Sequence, residues 1–365
     1  LGRQKNYIPT LDGWRALSVA GVVLYHGRFG FFGSHHLPVS LAAHGYLGVD
    51  VFFAISGFLI CSILLQEFAL TGDIDLRRFY MRRFFRILPA YYVAFAAIFL
   101  LGLFHVIREN YIDVPSCLLF YRNFMPLGAD WHGGFYTAHF WSLSIEEQFY
   151  LLWPIVLLAL KPKQAGKVAV VLSVLAYCWK VTLGHFPALS DVVPPAMGML
   201  ARTDTLLWGC LAALYFTEIR RWVQQSRFTQ LWLPILLMLL VGQASRVPEL
   251  VSLSSILLPA LVLSTALQPQ SLLSRVLEWK LLRWVGTLSY SIYLWQMIFL
   301  PELASEMAEG RFRYLQRAPW NVVAILVCAC ISRYCIEIPI TRLGHRLGAS
   351  RVAPATPIGT VAAMR

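Results

Sequence analysis

Two side chains in the first apolar run carry the chemistry of a proton-transfer site. His26 ends the stretch "VVLYH", and Arg15 stands eleven residues earlier in "PTLDGWRALSVAGVVLYH". On one helix they lie ~16 Å apart along the axis, about half of a bilayer's hydrocarbon core. Imidazole is suited to take a proton from a hydroxyl near neutral pH. Carboxylates recur in similar settings: Asp12 beside Arg15, Asp50 in "GYLGVDVFFAISGFLI", and Glu146 with Glu147 in "SLSIEEQFY". Arg202 and Asp204 follow in "LARTDTLLWG", and Arg333 and Glu337 in the last run. A charge at mid-bilayer costs about 3 kcal/mol or more, so such residues face protein or water and usually have a task. His26, Asp50, Glu146 and Arg202 all fall toward the outer ends of their runs, and the expectation is one polar pocket that they line together.

Structural roles compete with this reading. Asp12 and Arg15 are three apart and can form a helical ion pair, as can Arg333 and Glu337, four apart. Arg202 can pair with Glu146 or Glu147 to close the bundle. His26 can be a hydrogen-bonded core histidine, although Tyr25 beside it and charged residues at the same depth favour a functional role.

The run "LRRFYMRRFFRILPAYY" alternates aromatic residues with Arg77, Arg78, Arg82, Arg83 and Arg86. That pattern suits a helix lying in the inner interface, where arginines anchor to headgroups and set topology. The same forks pair bidentately with phosphate, so this helix can also cradle a phosphorylated ligand. A long activated donor could then enter from inside, with its reactive end near His26. A carboxylate would fix the tautomer of the ring, and an arginine or tyrosine would stabilise the oxyanion. The arrangement favours acyl transfer to a hydroxyl, while spacing alone leaves phosphoryl and glycosyl transfer open.

The elements that must position these groups are membrane helices. The 365 residues are 58% hydrophobic and 14% charged, with mean hydropathy +0.60, against about 25% charged for a soluble domain. The fold class is all-α: a polytopic membrane bundle of about ten transmembrane helices, near 12–31, 46–66, 88–107, 140–160, 167–184, 197–217, 229–245, 250–268, 286–301 and 319–338. Both termini are cytoplasmic on this reading. With the N-terminus inside, 20 basic residues fall in inward segments and seven in outward ones, as the positive-inside rule requires. The net charge of +12 is therefore a topology signal, and no compact basic face points to nucleic acid. Seven cysteines without CxxC spacing indicate neither a disulfide framework nor a zinc site. There is no P-loop, HExxH or CxxCH, so no metal is expected. The longest outward loop, 108–139, carries Trp131 and Tyr136, which with Trp141 suit an interface belt. No cleavable leader is evident. Residues 1–342 form one transmembrane domain, and 343–365 a short tail too biased to fold alone.

Six blocks in order resemble the acyltransferase 3 family of integral membrane O-acyltransferases: "LDGWRALSVAGVVLYH", "GVDVFFAISGFLI", "FYMRRFFRILPAYY", "FWSLSIEEQFYLLWP", "RTDTLLWGCLAAL" and "GTLSYSIYLWQ". The resemblance runs from Leu11 to about Arg342. It implies a ten-span bundle in the bacterial inner membrane that takes an acyl group, commonly acetyl from acetyl-CoA, to a carbohydrate hydroxyl. The acceptors it implies are a glycan, a lipid-linked glycan or a macrolide, as in lipopolysaccharide or peptidoglycan decoration. Carried over, the family's arginine and histidine fall on Arg15 and His26, and its RxxR motif on Arg83 and Arg86, with Arg82 adjacent. The acid of the fourth span falls on Glu146, and the Asp of "GVDVFF" on Asp50. His26, Glu146 and Asp50 are the expected catalytic set; Arg15, Arg82, Arg83 and Arg86 the expected CoA ligands. Asp12, Glu147, Tyr150, Arg202, Tyr290 and Gln296 are expected to bind substrate or support structure. At the position after "YLW" the family often has histidine; here it is Gln296, which hydrogen-bonds but cannot act as a base near neutral pH. Some members carry a C-terminal SGNH-like domain that these residues do not contain, so the acceptor is expected to meet the membrane domain itself.

Two other functions fit polar residues inside spans. A transporter or flippase of a lipid-linked glycan or small metabolite would move substrate without consuming an acyl donor. A non-catalytic membrane partner would recruit a soluble acyltransferase and be inert alone.

Overall fold

The computed structural model describes residues 7–32, 42–107, 114–125, 134–192, 202–225, 230–301, 308 and 310–347. Among these the chain is helical, with no strands. Helix α1 spans Pro9–Phe32, α2 Leu47–Thr71, α3 Leu76–Leu103 and α4 Phe140–His185. Then come α5 Asp204–Leu214, α6 Phe216–Gln225, α7 Trp232–Ser245 and α8 Ser254–Leu267. Helix α9 spans Lys280–Phe299, and α10, Trp320–Ile331, continues through a π-helical stretch, Ser332–Glu337, into α11, Ile338–Leu347.

Local chemistry sets the boundaries. Gly72 ends α2 in the left-handed region, φ 74°, with its N–H donated to the Phe68 carbonyl, the usual glycine stop. Asp75 caps α3 by accepting from the Arg78 N–H. Two expected spans, 140–160 and 167–184, are the two limbs of α4, broken at Lys161, φ 59° and ψ 161°. Pro162 follows Lys161, and the residue before proline is pushed out of helical geometry.

Among the described residues, five helical segments are long and apolar enough to cross a membrane: 44–71, 76–103, 135–185, 248–267 and 320–344. Asp204–Leu214 and Trp232–Ser245 are shorter and apolar. The chain is thus a multi-pass membrane protein, and large apolar side chains such as Leu151, Leu152, Val171, Leu175, Leu240 and Val241 face outward, where lipid replaces water. Most of the expected tail, from residue 348 on, lies outside the described residues, as does Trp131.

Helices α1 and α9 run parallel. The Cβ position of Gly286 on α9 falls against the Asp12 carbonyl of α1, closer than any real Cβ contact. Close helix approach through small residues is the usual way membrane helices associate. Helix α2 crosses α5 in the same manner, at Gly57 against the Leu206 carbonyl. One buried cluster joins Val19, Phe53, Tyr91, Phe140, Ile292 and Ile298; another joins Trp14, Ile55, Trp153, Leu207, Leu258 and Leu277. Gly286→Val should force α9 off α1 and cost about 1–3 kcal/mol or more. A thermal-unfolding midpoint in detergent equal to the parent's would contradict this packing.

Tyr136 corrects an expectation. It is fully buried, with its hydroxyl accepting from Gln316 Nε2 at 3.3 Å, and does not sit in an interface belt. The short turn Phe135–Thr137 packs into the core beneath α9, so its aromatic ring fills protein.

Candidate active site

Parallel packing of α1 and α9 gives the bundle two polar ends. His26 and Gln296 lie at one, Asp12 and Arg283 at the other. At the histidine end, His26 Nδ1 is buried with no hydrogen-bond partner. Gln296, 0% exposed, neighbours the ring, yet neither of its amide atoms reaches hydrogen-bond geometry with any group. His139, 2% exposed, immediately precedes α4 and lies near enough for its charge to interact with that of His26. Neither His139 nitrogen meets hydrogen-bond geometry, although the Leu294 backbone faces the ring. The backbone at His139 is held: Tyr293 Oη donates to its carbonyl at 3.0 Å and sits 2.5 Å from Ser142 Oγ. Tyr25 stands edge-on to His26, centroids 5.3 Å apart, and Tyr293 to His139 at 5.4 Å. Three side chains thus aim five unpartnered polar atoms into an apolar core. Such atoms are costly unless water or a ligand satisfies them.

The arginine end is built from α1, α3, α4 and the π-helical stretch. The Arg83 guanidinium lies over the Tyr150 ring at 5.1 Å and the Phe79 ring at 5.7 Å. Tyr150 Oη donates to Ser56 Oγ at 2.9 Å, and Ser56 donates to Glu146 Oε1 at 2.5 Å. Glu146 and Glu147 are the acidic neighbours of Arg83. Arg86 shares charged surroundings with Arg83, Arg15 and Arg333 and keeps an exposed face. Arg15 and Arg333 are ion-paired with Asp12 and Glu337, so Arg83 and Arg86 are the members of this cluster left to meet an anion. Arg82 does not join it: its charged neighbours are Arg78, Glu67 and Asp75, because successive helical residues point about 100° apart. Tyr290 ties α9 to α3 by donating to the Ile87 carbonyl at 2.9 Å. Along α4, His139 and Tyr150 are eleven residues apart, which separates the two ends by ~16 Å of helix rise.

The four residues expected to line one pocket, His26, Asp50, Glu146 and Arg202, take different side-chain partners. Glu146 is engaged by Ser56 and Tyr150. Asp50 pairs with Arg202 at 3.8 Å, so Arg202 does not close on Glu146 or Glu147. Beside them Lys180 binds the fully buried Asp204 at 2.8 Å. The physical reason is lateral: α5 packs on α2, which draws Asp50 toward α5, while α9 covers His26. Removing one member of a buried pair leaves a charge uncompensated, at about 3–5 kcal/mol. Lys180→Ala should therefore lower thermal stability clearly, and Lys180→Ala with Asp204→Ala should recover part of the loss. Additive losses in that cycle would show that the pair is not coupled.

Two ion pairs are anchored in side-chain networks. Asp12 binds Arg15 at 3.4 Å and also accepts from Tyr7, which in turn accepts from Arg283 at 3.1 Å. Glu337 binds Arg333 at 2.9 Å and accepts from Ser291. A cavity of about 340 Å³ between α5, α6, α7 and α8, lined by Trp208, Trp222 and Leu263, presents no histidine or charged side chain, so chemistry is not placed there. Among the described residues, no three His, Cys, Asp or Glu side chains converge to hold a metal.

A family model described as an acyltransferase domain, Acyl_transf_3, matches residues 8–342. The chain belongs to the acyltransferase 3 family. It is 30% identical over 368 residues to the peptidoglycan O-acetyltransferase OatA of Listeria monocytogenes, covering 93% of this chain and 57% of that protein. It is 30% identical over 381 residues to the putative peptidoglycan O-acetyltransferase YrhL of Bacillus subtilis, covering 95% and 57%. It is 29% identical over 372 residues to the O-acetyltransferase OatA of Staphylococcus aureus, covering 93% and 58%. The chain therefore spans less than two thirds of the length of these relatives. No solved structure matches it.

For an acyltransferase 3 chain, the residue that sequence reasoning passed over is His139. It stands in "YTAHFWSLSIEE" at the foot of an apolar helix, where it reads as the end of an outward loop. Arg122 was equally hidden. Read as an outward loop residue, it is 0% exposed and close enough to act electrostatically on His139.

Proposed function

We propose that this chain is a membrane O-acyltransferase that moves an acyl group, acetyl foremost, from acyl-CoA to a hydroxyl of a glycan. The observation that carries this reading is the pairing of the two ends. An imidazole with an unpartnered, buried nitrogen beside a buried amide shares one bundle with an arginine patch ~16 Å away along α4. Family membership and relatives named peptidoglycan O-acetyltransferases support it. Ten spans, with both termini and the arginine end facing the cytoplasm of a bacterial inner membrane, give CoA its entry side.

In this reading Arg83, Arg86 and Arg15 take the phosphates of the donor. Arg83 does so from a fixed orientation, because its fork rests on Tyr150. The acyl end reaches between α1 and α9. His26 takes the hydroxyl proton as general base or carries the acyl group transiently. The Gln296 amide N–H is placed to donate to the oxyanion that forms at the acyl carbon. The acceptor is a polymeric or lipid-linked glycan, peptidoglycan first by the names of the relatives.

Membrane vesicles carrying the chain, given labelled acetyl-CoA and a soluble chito-oligosaccharide, should form an alkali-labile ester on the sugar. Passage of the sugar across the bilayer with the donor unconsumed would establish a transporter instead. Ester formation only on adding a soluble acyltransferase would establish a recruiting partner.

A further inference from the structure

Direct transfer from thioester to hydroxyl needs one base, and His26 alone would supply it. The structure holds two imidazoles at the histidine end. His139 is as buried as the surrounding core, its backbone is pinned by Tyr293, and neither ring nitrogen meets hydrogen-bond geometry, although the Leu294 backbone faces the ring. A neutral imidazole has one donor and one acceptor, and leaving both unmet in an apolar core is costly. The hydrogen bonds to the His139 carbonyl fix the chain around a ring whose nitrogens meet hydrogen-bond geometry with no protein group. The two rings also come from opposite directions along the chain. Helix α1 leads from Arg15 up to His26, and α4 leads from His139 back toward Tyr150 and the arginine end. His139 immediately precedes α4, eleven residues before Tyr150, so both rings share the end of the bundle away from the arginine patch.

We propose that His139 is a second catalytic residue, the base that activates the acceptor hydroxyl, while His26 carries the acyl group between two half-reactions. This rests on the acyl-transfer reading above. In the first half-reaction a His26 ring nitrogen attacks the thioester carbonyl. The C–N bond forms, the C–S bond breaks, and the thiolate leaves with the proton that the His26 ring gives up. In the second, the acceptor hydroxyl gives its proton to His139, its oxygen bonds to the acyl carbon, and the C–N bond to His26 breaks. The released His26 ring takes the proton from His139, so both imidazoles end neutral. Gln296, beside His26, offers its N–H to the oxyanion in both steps, and the Arg122 charge near His139 favours the same species. The acyl–imidazole is sheltered because its buried neighbours Gln296 and His139 flank the His26 ring.

The test uses the full chain in detergent or nanodiscs with acetyl-CoA and a soluble chito-oligosaccharide. His139→Ala should still release one thiol per chain in a single turnover. Hydroxylamine should then trap the held acetyl group as acetohydroxamate. Ester transfer to the sugar should fall by about 10²–10³-fold, and added imidazole should restore part of it. His139→Gln, which keeps hydrogen bonding without a basic nitrogen, should match His139→Ala. Sugar ester formed at the parent rate by either variant overturns the proposal. So does a His139→Gln protein that is folded, by gel filtration and thermal midpoint, yet loses thiol release and transfer in equal proportion. If the parent itself releases no thiol from acetyl-CoA, the acyl-transfer reading fails and this inference goes with it.

Discussion

His26→Ala lowers sugar acetylation from acetyl-CoA by at least about 10²–10⁴-fold, the usual worth of a positioned acid–base group. If the imidazole also carries the acyl group, the loss extends to thiol release in the absence of acceptor. The protein should still fold, because removing this ring breaks no hydrogen bond made by Nδ1 and leaves the α1–α9 seam at Gly286 and Asp12 untouched. The cavity left by the ring should lower stability modestly, by about 1–3 kcal/mol. CoA should bind to the variant as to the parent, since the arginine patch stands ~16 Å away along the helix. Initial rates with labelled acetyl-CoA, read beside a CoA-binding isotherm, separate these effects. A His26→Ala protein that acetylates the sugar at the parent rate removes the chemical role of the ring altogether.

The second large effect is on binding. Arg83→Ala with Arg86→Ala should weaken CoA binding by roughly 10²–10⁴-fold. Each charge-assisted hydrogen bond to phosphate is worth about 1.5–3 kcal/mol, and every 1.4 kcal/mol is about tenfold in Kd. Lysine at position 83 should recover little. A point charge on a flexible stem does not reproduce the planar fork that rests over Tyr150 at 5.1 Å. Titration with CoA and with dephospho-CoA reads both points, because the difference between the ligands should shrink in the double variant. Unchanged affinity would return these arginines to a purely topological role at the interface. Arg82→Ala should leave affinity near the parent's, as its charged neighbours are Glu67, Asp75 and Arg78.

Several features were legible in the sequence. The spans show in runs of apolar residues, and the break in α4 shows in "ALKPKQAG". The ion pairs Asp12–Arg15 and Arg333–Glu337 are written in spacings of three and four, since helical neighbours are set by local geometry. The arginine patch and His26 stand out because charge in an apolar run is rare. The partners that Asp50 and Glu146 take were not legible, because depth along a helix is legible in sequence and rotation about its axis is not. Glu146 turned to Ser56, and Asp50 to Arg202.

The sequence by itself determined that this protein is helical, membrane-embedded and of the acyltransferase 3 family. Those properties follow from composition, short-range spacing and the order of motifs. Only the tertiary structure decided that residues 26, 139 and 296 meet. They lie on three segments more than a hundred residues apart, and their meeting depends on how closely α1, α4 and α9 pack. That closeness is set by side chains as small as Gly286 at the helix seams and by long-range bonds such as Tyr293 to the His139 carbonyl. Contacts of that kind arise from the packing of whole helices, and no local window of residues encodes them.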